Sequence, residues 1–493
     1  MAQAIIIGSG IGGLATAIRL ARRGIQVDVY ESSDRSGGKV SERKKDGFRF
    51  DAGPSLFTLP ELVFDLLDDD LRFPVMKLEV ITKYFYPDNT QIEAFSDVHK
   101  LAAEVERNFK TPAGKVIAYL QKAATVYDLT ADLFIFGSFH RLKNLMNLKS
   151  LKTLLQFRKL HAFSSLHDFN TRELGEKKLV QMFDRYATYN GSNPFQTPAT
   201  LSVISHLEHN LGAFIPEKGM IQIADSLMDQ ALRLNVNFHF GQPVCKVESN
   251  NGKVSGVWIG IGFVPADLVV SDVDIHHFYS SILPDQKRLA KIAKDERSSS
   301  ALIFYWGING ISPELDIHNI FFSANYQEEF KSLFQLKEVY SDPTVYIYIS
   351  SKYKKNDAPE GNENWFVMIN APADTGQNWD ELISRSRRQI LEKLERMLNR
   401  KLSDKILCEE ILSPPEIAKQ TGSVNGSIYG SSSNSRYASF NRHANFRSDI
   451  KGLYFVGGSV HPGGGIPLCL SSAKIVDGLV KEQFLKNDNT FIS

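Results

Sequence analysis

Ala4-Ile5-Ile6-Ile7-Gly8-Ser9-Gly10-Ile11-Gly12-Gly13 decides the reading of this chain. Ala4 to Ile7 is a short run, mostly β-branched, with no polar face, the pattern of a central parallel strand covered on both sides. Gly8, Gly10 and Gly13 then carry the G-x-G-x-x-G spacing, and Leu14, Ala15, Ile18, Leu20 and Ala21 continue at helical intervals. In such a strand-turn-helix Gly8 allows the tight turn and Gly10 lets a pyrophosphate approach the helix N-terminus, where free N–H groups and the dipole favour anions. Gly13 lets helix and strand pack closely. After Gly24, Gln26 to Tyr30 reads as a second strand ending at Glu31-Ser32, about 20 residues beyond the turn, where a carboxylate can hold ribose hydroxyls. The expected ligand is a dinucleotide, with Ser9, Ile11 and Gly12 lying against it.

Two further glycine clusters narrow the ligand. Arg35-Ser36-Gly37-Gly38-Lys39 follows the acidic residue, and Gly47-Phe48-Arg49-Phe50-Asp51-Ala52-Gly53-Pro54-Ser55 comes next. Small residues here allow a loop to pass over a long ligand, and Lys39 or Arg35 can neutralise phosphate. A plain surface loop is the alternative, against which the flanking aromatics speak. At the other end, Leu453 to Val456 reads as a strand running into Gly457-Gly458-Ser459 and His461-Pro462-Gly463-Gly464-Gly465-Ile466-Pro467, with a helix from Leu468 onward. Glycines leave room for a flat ring, and a helix N-terminus aimed at that ring favours negative charge on a reduced flavin. FAD is therefore the expected cofactor.

Composition bounds the rest. The 493 residues, 43% of them hydrophobic, suit two or three domains. A net charge of +1 gives no global attraction to nucleic acid, and the three cysteines have no metal-ligand spacing. No apolar run approaches the roughly 20 residues that span a bilayer, and no signal peptide precedes the first strand, so a cytoplasmic protein is expected. The 12 histidines are scattered, with no H-E-x-x-H or C-x-x-C. No metal site is expected, and the cofactor must do the chemistry.

The paired strands with their glycine doublet resemble the flavoprotein superfamily that includes amine oxidases, protoporphyrinogen oxidase and the Rab GDP-dissociation inhibitors. More narrowly, Asp51-Ala52-Gly53-Pro54-Ser55, Asn193-Pro194-Phe195, Pro216 to Met220, Ala266 to Ser271, Asp357 to Gly361 and Val456 to Pro467 resemble the bacterial and fungal phytoene desaturase family, in family order and across nearly the whole chain. The resemblance implies an α/β fold: a discontinuous Rossmann-like FAD domain (1–75, 215–285 and 420–493), an interleaved α+β substrate domain (76–125, 180–214 and 286–419) and a helical region (126–179). It implies that the backbone of Val244 meets adenine and that Gly457, Gly458, Gly465, Ile466 and Pro467 flank the flavin. Lys39 stands where arginine is common in the family, and Ser459 where threonine is.

The local patterns agree with interleaving. Met220 to Leu232 reads as a helix, Val236 to Phe240 and Pro243 to Val247 as strands, and Ala301 to Trp306 and Thr344 to Ile349 as strands of the second domain. One segment stands apart: Leu133 to His167 holds no acidic residue but carries Arg141, Lys143, Lys149, Lys152, Arg158 and Lys159. Leu148, Leu151, Leu154 and Leu155 fall on one side of a helix there, a pattern that fits either a bilayer interface or a core-packing helix with a basic outer face. The family's lipid-soluble substrates favour peripheral contact with the inner face of the cell membrane.

The family implies hydride transfer from an acyclic carotenoid to flavin N5, proton loss, and return of electrons to dioxygen or a quinone. Tyr189 and Phe195 are tunnel-lining candidates that packing explains as easily, and His318 fits a packed histidine or a substrate contact. Gly37 to Glu42 and Gly53 to Pro60 resemble the desaturases that act at the 3,4 bond of 1-hydroxylated or methoxylated carotenoids. Phytoene desaturation, carotenoid isomerisation and a non-catalytic prenyl-binding escort are the alternatives.

Overall fold

The computed structural model describes residues 2–131, 135–138, 140, 161, 163–260, 262–435 and 438–484. At its centre five strands run parallel in the order Leu453–Phe455, Leu268–Ser271, Gln3–Ile7, Gln26–Tyr30 and Asn237–His239. Three distant stretches of chain thus build one sheet. The apolar run Ala4 to Ile7 is buried on both faces: Ala4 and Ile6 pack with Leu14, Ile18, Leu227 and Val476, while Ile5 and Ile7 pack with Val247, Val257 and Phe278. Helices Ile11–Ala21, Ile221–Arg233 and Ile466–Phe484 cover the first face, and the antiparallel strands Val244–Asn250, Lys253–Ile259 and Gly262–Pro265 lie on the second. The helix expected from Met220 to Leu232 forms over Ile221–Arg233.

The Ile11–Ala21 helix starts at Gly10 with no side-chain cap and no acidic residue in its first turn. Apart from the Gly13 N–H, which the Asp272 carboxylate accepts, its leading N–H groups and positive dipole end are thereby left for an anion from outside.

A second sheet of seven strands has the order Ile406–Leu412, Ser300–Asn309, Asn362–Ala371, Val345–Tyr348, His318–Phe321, Val80–Phe85 and Gln91–Phe95. All neighbours are antiparallel except His318–Phe321 with Val80–Phe85. The expected strands at Ala301 and Thr344 are its second and fourth members. Alternation sends Leu302, Phe304 and Trp306 to the face covered by helix Trp379–Leu398, and Ala301, Ile303 and Tyr305 to the face shared with Phe48 and Phe50. Helices Val98–Phe109, Ala113–Thr130, Leu166–Leu174 and Lys177–Asp184 form a third cluster around Tyr84, Phe183 and Tyr186. The Leu148–Leu155 helix read from the sequence lies outside the described residues.

Candidate functional site

The three glycine clusters converge on one place. Parallel pairing sets Ile7 beside Ser271, so the turn after each strand emerges at the same sheet edge. There Gly8 N–H donates to the Tyr30 carbonyl (2.8 Å) and Gly37 N–H to the Ser9 carbonyl (2.9 Å). A Cβ on Gly38 would stand 3.2 Å from Gly10 Cα, and one on Gly12 only 2.9 Å from Gly457 N. A Cβ on Gly53 would overlap the Lys39 carbonyl, and one on Gly13 the Gly8 carbonyl. These glycines are required by backbone meeting backbone, and together they form a cradle open to the Gly10 helix terminus. Glu31 closes one end. Burial raises its carboxyl, but hydrogen bonds from Ser33 and Ser9 outweigh that and hold it below the usual carboxylate range. Gly241 and Gln242 donate to the carbonyls of Ser33 and Glu31, which brings the start of the Val244 strand alongside; Ser32 itself is exposed.

Asp272, which the sequence reading missed, sits inside this cradle. Its Oδ2 accepts the Gly13 N–H at 2.9 Å, and a Cβ on Gly10 would stand 2.5 Å from it. Burial pushes its carboxyl up to about 7, with Glu31 adding and the Gly13 N–H and Lys39 opposing. Lys39 donates to the Ile428 carbonyl (2.6 Å); desolvation lowers its ammonium, against the pull of Asp274, Cys469 and Asp272. Burial pushes the Cys469 thiol up to about 12. Asp272 and Cys469 are half-buried and Lys39 is exposed, so all three can be reached from the cradle's open side.

The glycines after His461 behave differently from one another. Gly465 faces open space. Gly463 instead makes room for the Arg442 guanidinium, and Gly464 for the Tyr429 ring. Two of the three glycines thus admit side chains from elsewhere in the chain, and Gly465 is the one that leaves space unfilled. Ile466 is buried and Pro467 half-buried at the start of the last helix.

On the other side of Ser55 lies the second sheet. Ser55 and Tyr346 share a hydrogen bond between hydroxyls (2.6 Å), and the Tyr346 hydroxyl meets His318 Nδ1 at 2.8 Å. His318 is 3% exposed, stacks on Tyr348 with ring centres 5.0 Å apart, and is pushed down to about 3 by burial, so it is neutral. It stands behind Tyr346, which is the partly accessible member of the pair. Tyr189 donates to Glu208 Oε2 (2.6 Å), whose other oxygen accepts from Arg185 (2.7 Å) and Tyr186 (3.0 Å). The Arg185 guanidinium lies over the Tyr84, Tyr186 and Tyr189 rings. Phe195 is set apart from this group: it packs on His167 and Phe330 and lines a polar cleft of about 710 Å³ with Ser164, Asp295 and Asn434.

The cradle fits FAD: a positive helix end whose Ile11 and Gly12 N–H groups have no partner among the described residues, glycines where the chain packs too closely for a Cβ, a carboxylate at the ribose position and a lysine beside the cradle. Residues 11–476 match the family described as flavin containing amine oxidoreductase. The chain is 45% identical over 484 residues to the 1-hydroxycarotenoid 3,4-desaturase of Flavobacterium sp. (strain P99-3), covering 97% of this chain and 99% of that one. It is 28% identical to a phytoene desaturase of Fusarium fujikuroi, covering 98% and 90%. Among solved structures, an oxidoreductase from Methanosarcina mazei superposes with a TM-score of 0.63 at 17% identity, over 96% of this chain and 99% of that one. The chain belongs to the flavin-containing amine oxidoreductases and, within them, to the carotenoid desaturases, and its cofactor is FAD.

Proposed function

We propose that this protein introduces the 3,4 double bond into an acyclic, 1-hydroxylated carotenoid. The observation that carries the reading is the 45% identity, from end to end, with a desaturase named for that reaction. Two hydrogens leave adjacent carbons, one as hydride and one as a proton, and a C=C bond forms between them. Bound FAD supplies the two-electron acceptor. For the chain's part, the cradle from Gly8 to Gly13, through the N–H groups of Ile11 and Gly12, and the Lys39 ammonium would hold the pyrophosphate, Glu31 the ribose, and the Val244 backbone the adenine. Gly37, Gly38, Gly53, Pro54 and Ser55 pass over the ligand, and Gly457, Gly458, Gly465, Ile466 and Pro467 flank its ring. The polyene offers nothing ionisable along its length, so the second sheet positions it by shape and excludes water. Neutral His318 serves by fixing the Tyr346 hydroxyl.

In this reading residues 1–75, 215–285 and 420–493 hold FAD, and 76–125, 180–214 and 286–419 hold the carotenoid, with 126–179 helical. No described helix is long and apolar enough to cross a membrane. A water-insoluble substrate and the basic, leucine-striped sequence from Leu133 to His167 support peripheral contact with the inner membrane face. Dioxygen or a quinone takes the electrons.

Purified holoprotein given lipid-dispersed 1-hydroxylated acyclic carotenoid is expected to yield a product two hydrogens lighter with a red-shifted polyene spectrum, resolved by chromatography. Conversion of phytoene alone would reassign it to the phytoene desaturases.

A further inference from the structure

Tyr429 stands between the cofactor cradle and the second sheet, outside the hydrogen-bond chains described so far. Glycines make room for its ring on both edges: a Cβ on Gly464 would stand 2.7 Å from Cδ1, and one on Gly191 3.0 Å from Cδ2. Gly191 closes the turn Arg185–Asn190 on the substrate side, and Gly464 lies just before the Ile466–Phe484 helix on the cofactor side. The backbone around the tyrosine is tied down, with Tyr429 N–H donating to Ser298 Oγ (3.1 Å) and the Ile428 carbonyl accepting from Lys39 (2.6 Å).

The phenol end is different. Among the described residues the Tyr429 hydroxyl makes no hydrogen bond, and it is not sealed from solvent. Burial alone pushes it up to about 12, yet the residue is half-buried and its hydroxyl remains accessible between the two glycines' elements. The polar groups of the cradle and the second sheet described above are already engaged: Tyr346 by Ser55 and His318, Tyr189 by Glu208 and Arg185, Lys39 by Ile428, and Asp272 by Gly13.

The proposed reaction says where a free hydroxyl is useful. In a 1-hydroxylated carotenoid the oxygen is three covalent bonds from C3, each of roughly 1.5 Å, so it lies close to the carbons that give up hydrogen. Whatever recognises it must therefore sit beside the C-terminal glycines that flank the cofactor ring. We propose that Tyr429 is the specificity residue that hydrogen-bonds the C1 hydroxyl of the substrate and thereby registers the C3–C4 bond against the C-terminal glycine cluster. This rests on the reading of the substrate given above. A phenol can donate to that hydroxyl and accept from it, and an analogue lacking the hydroxyl leaves the phenol unpaired in a dry site, which penalises the wrong substrate.

The test compares wild-type holoprotein with Tyr429→Phe, each given a 1-hydroxylated acyclic carotenoid and its counterpart without the hydroxyl, with bound FAD measured in both proteins. Wild type is expected to prefer the hydroxylated substrate. Tyr429→Phe keeps the ring between its two glycines and full FAD content, and loses about tenfold in kcat/KM on the hydroxylated substrate, chiefly through KM. Its rate on the other substrate is unchanged, so the preference shrinks by the same factor. Equal losses on both substrates, or no loss on the hydroxylated one, overturn the assignment to Tyr429 while the substrate reading stands. A wild type that turns over only the substrate without the hydroxyl overturns the substrate reading and this assignment with it.

Discussion

Gly457→Val is expected to leave the protein colourless. Gly457 has φ +92°, where side chains are strained, and a Cβ there would overlap Asp272 Oδ1. Asp272 cannot retreat easily, because Oδ2 is held by the Gly13 N–H, and Gly457 is held by its own N–H donating to Ser472 Oγ (2.9 Å). Backbone strain of about 1–3 kcal/mol and overpacking of a further 1–3 kcal/mol fall directly on the cradle. Together they correspond to a loss of FAD affinity between about thirtyfold and about ten-thousandfold, at 1.4 kcal/mol per tenfold. Gly478→Ala is the control: it lies in the C-terminal helix Ile466–Phe484, with nothing within 4 Å of a new Cβ, and it should retain FAD fully. Titrating apoprotein with FAD and following flavin fluorescence separates the two variants.

FAD affinity should also depend on pH through Asp272. In the free protein its carboxyl is poised at about 7 and occupies the Gly13 N–H at the helix end, where the proposed site would bring the pyrophosphate. A bound dianionic diphosphate disfavours the carboxylate further, so the complex binds more protons than the free protein. By linkage, affinity is greatest at acid pH and falls as pH rises past 7, by up to about tenfold per pH unit while only the free protein loses its proton. Asp272→Asn removes this slope and binds FAD more tightly at pH 8 to 9. Glu31, held below the usual range, stays charged throughout, and Cys469 at about 12 does not titrate in this window. The lowered ammonium of Lys39 gives a separate loss at higher pH, which Asp272→Asn keeps. A slope near pH 7 that survives in Asp272→Asn would refute the role given to the carboxylate.

The parts of the site legible in the sequence are those where the chain packs too closely for a side chain. Gly8, Gly10 and Gly13 are dictated by close approach, and the two-faced burial of Ala4 to Ile7 follows from their side chains. Asp272 was not legible, because only the pairing of Ile7 with Ser271 brings the residue after one strand to the turn after the other. Tyr346 belongs to an alternating strand whose pattern does not say which face meets a cavity. His318 was singled out, and the fold sets it behind that tyrosine. Tyr429 lies in the glycine- and serine-rich stretch from Gly426 to Ser435, which has no periodicity to read. The same distance in sequence explains the glycines after His461: nothing local announces that Arg442 and Tyr429 come to occupy the space beside Gly463 and Gly464.

Anaerobic mixing of the FAD-loaded protein with 1-hydroxylated acyclic carotenoid tests the account most directly. The flavin colour should bleach in step with formation of the longer polyene, one flavin reduced per double bond made. Product formed with the flavin still oxidised, or bleaching by phytoene and not by the hydroxylated carotenoid, would contradict it.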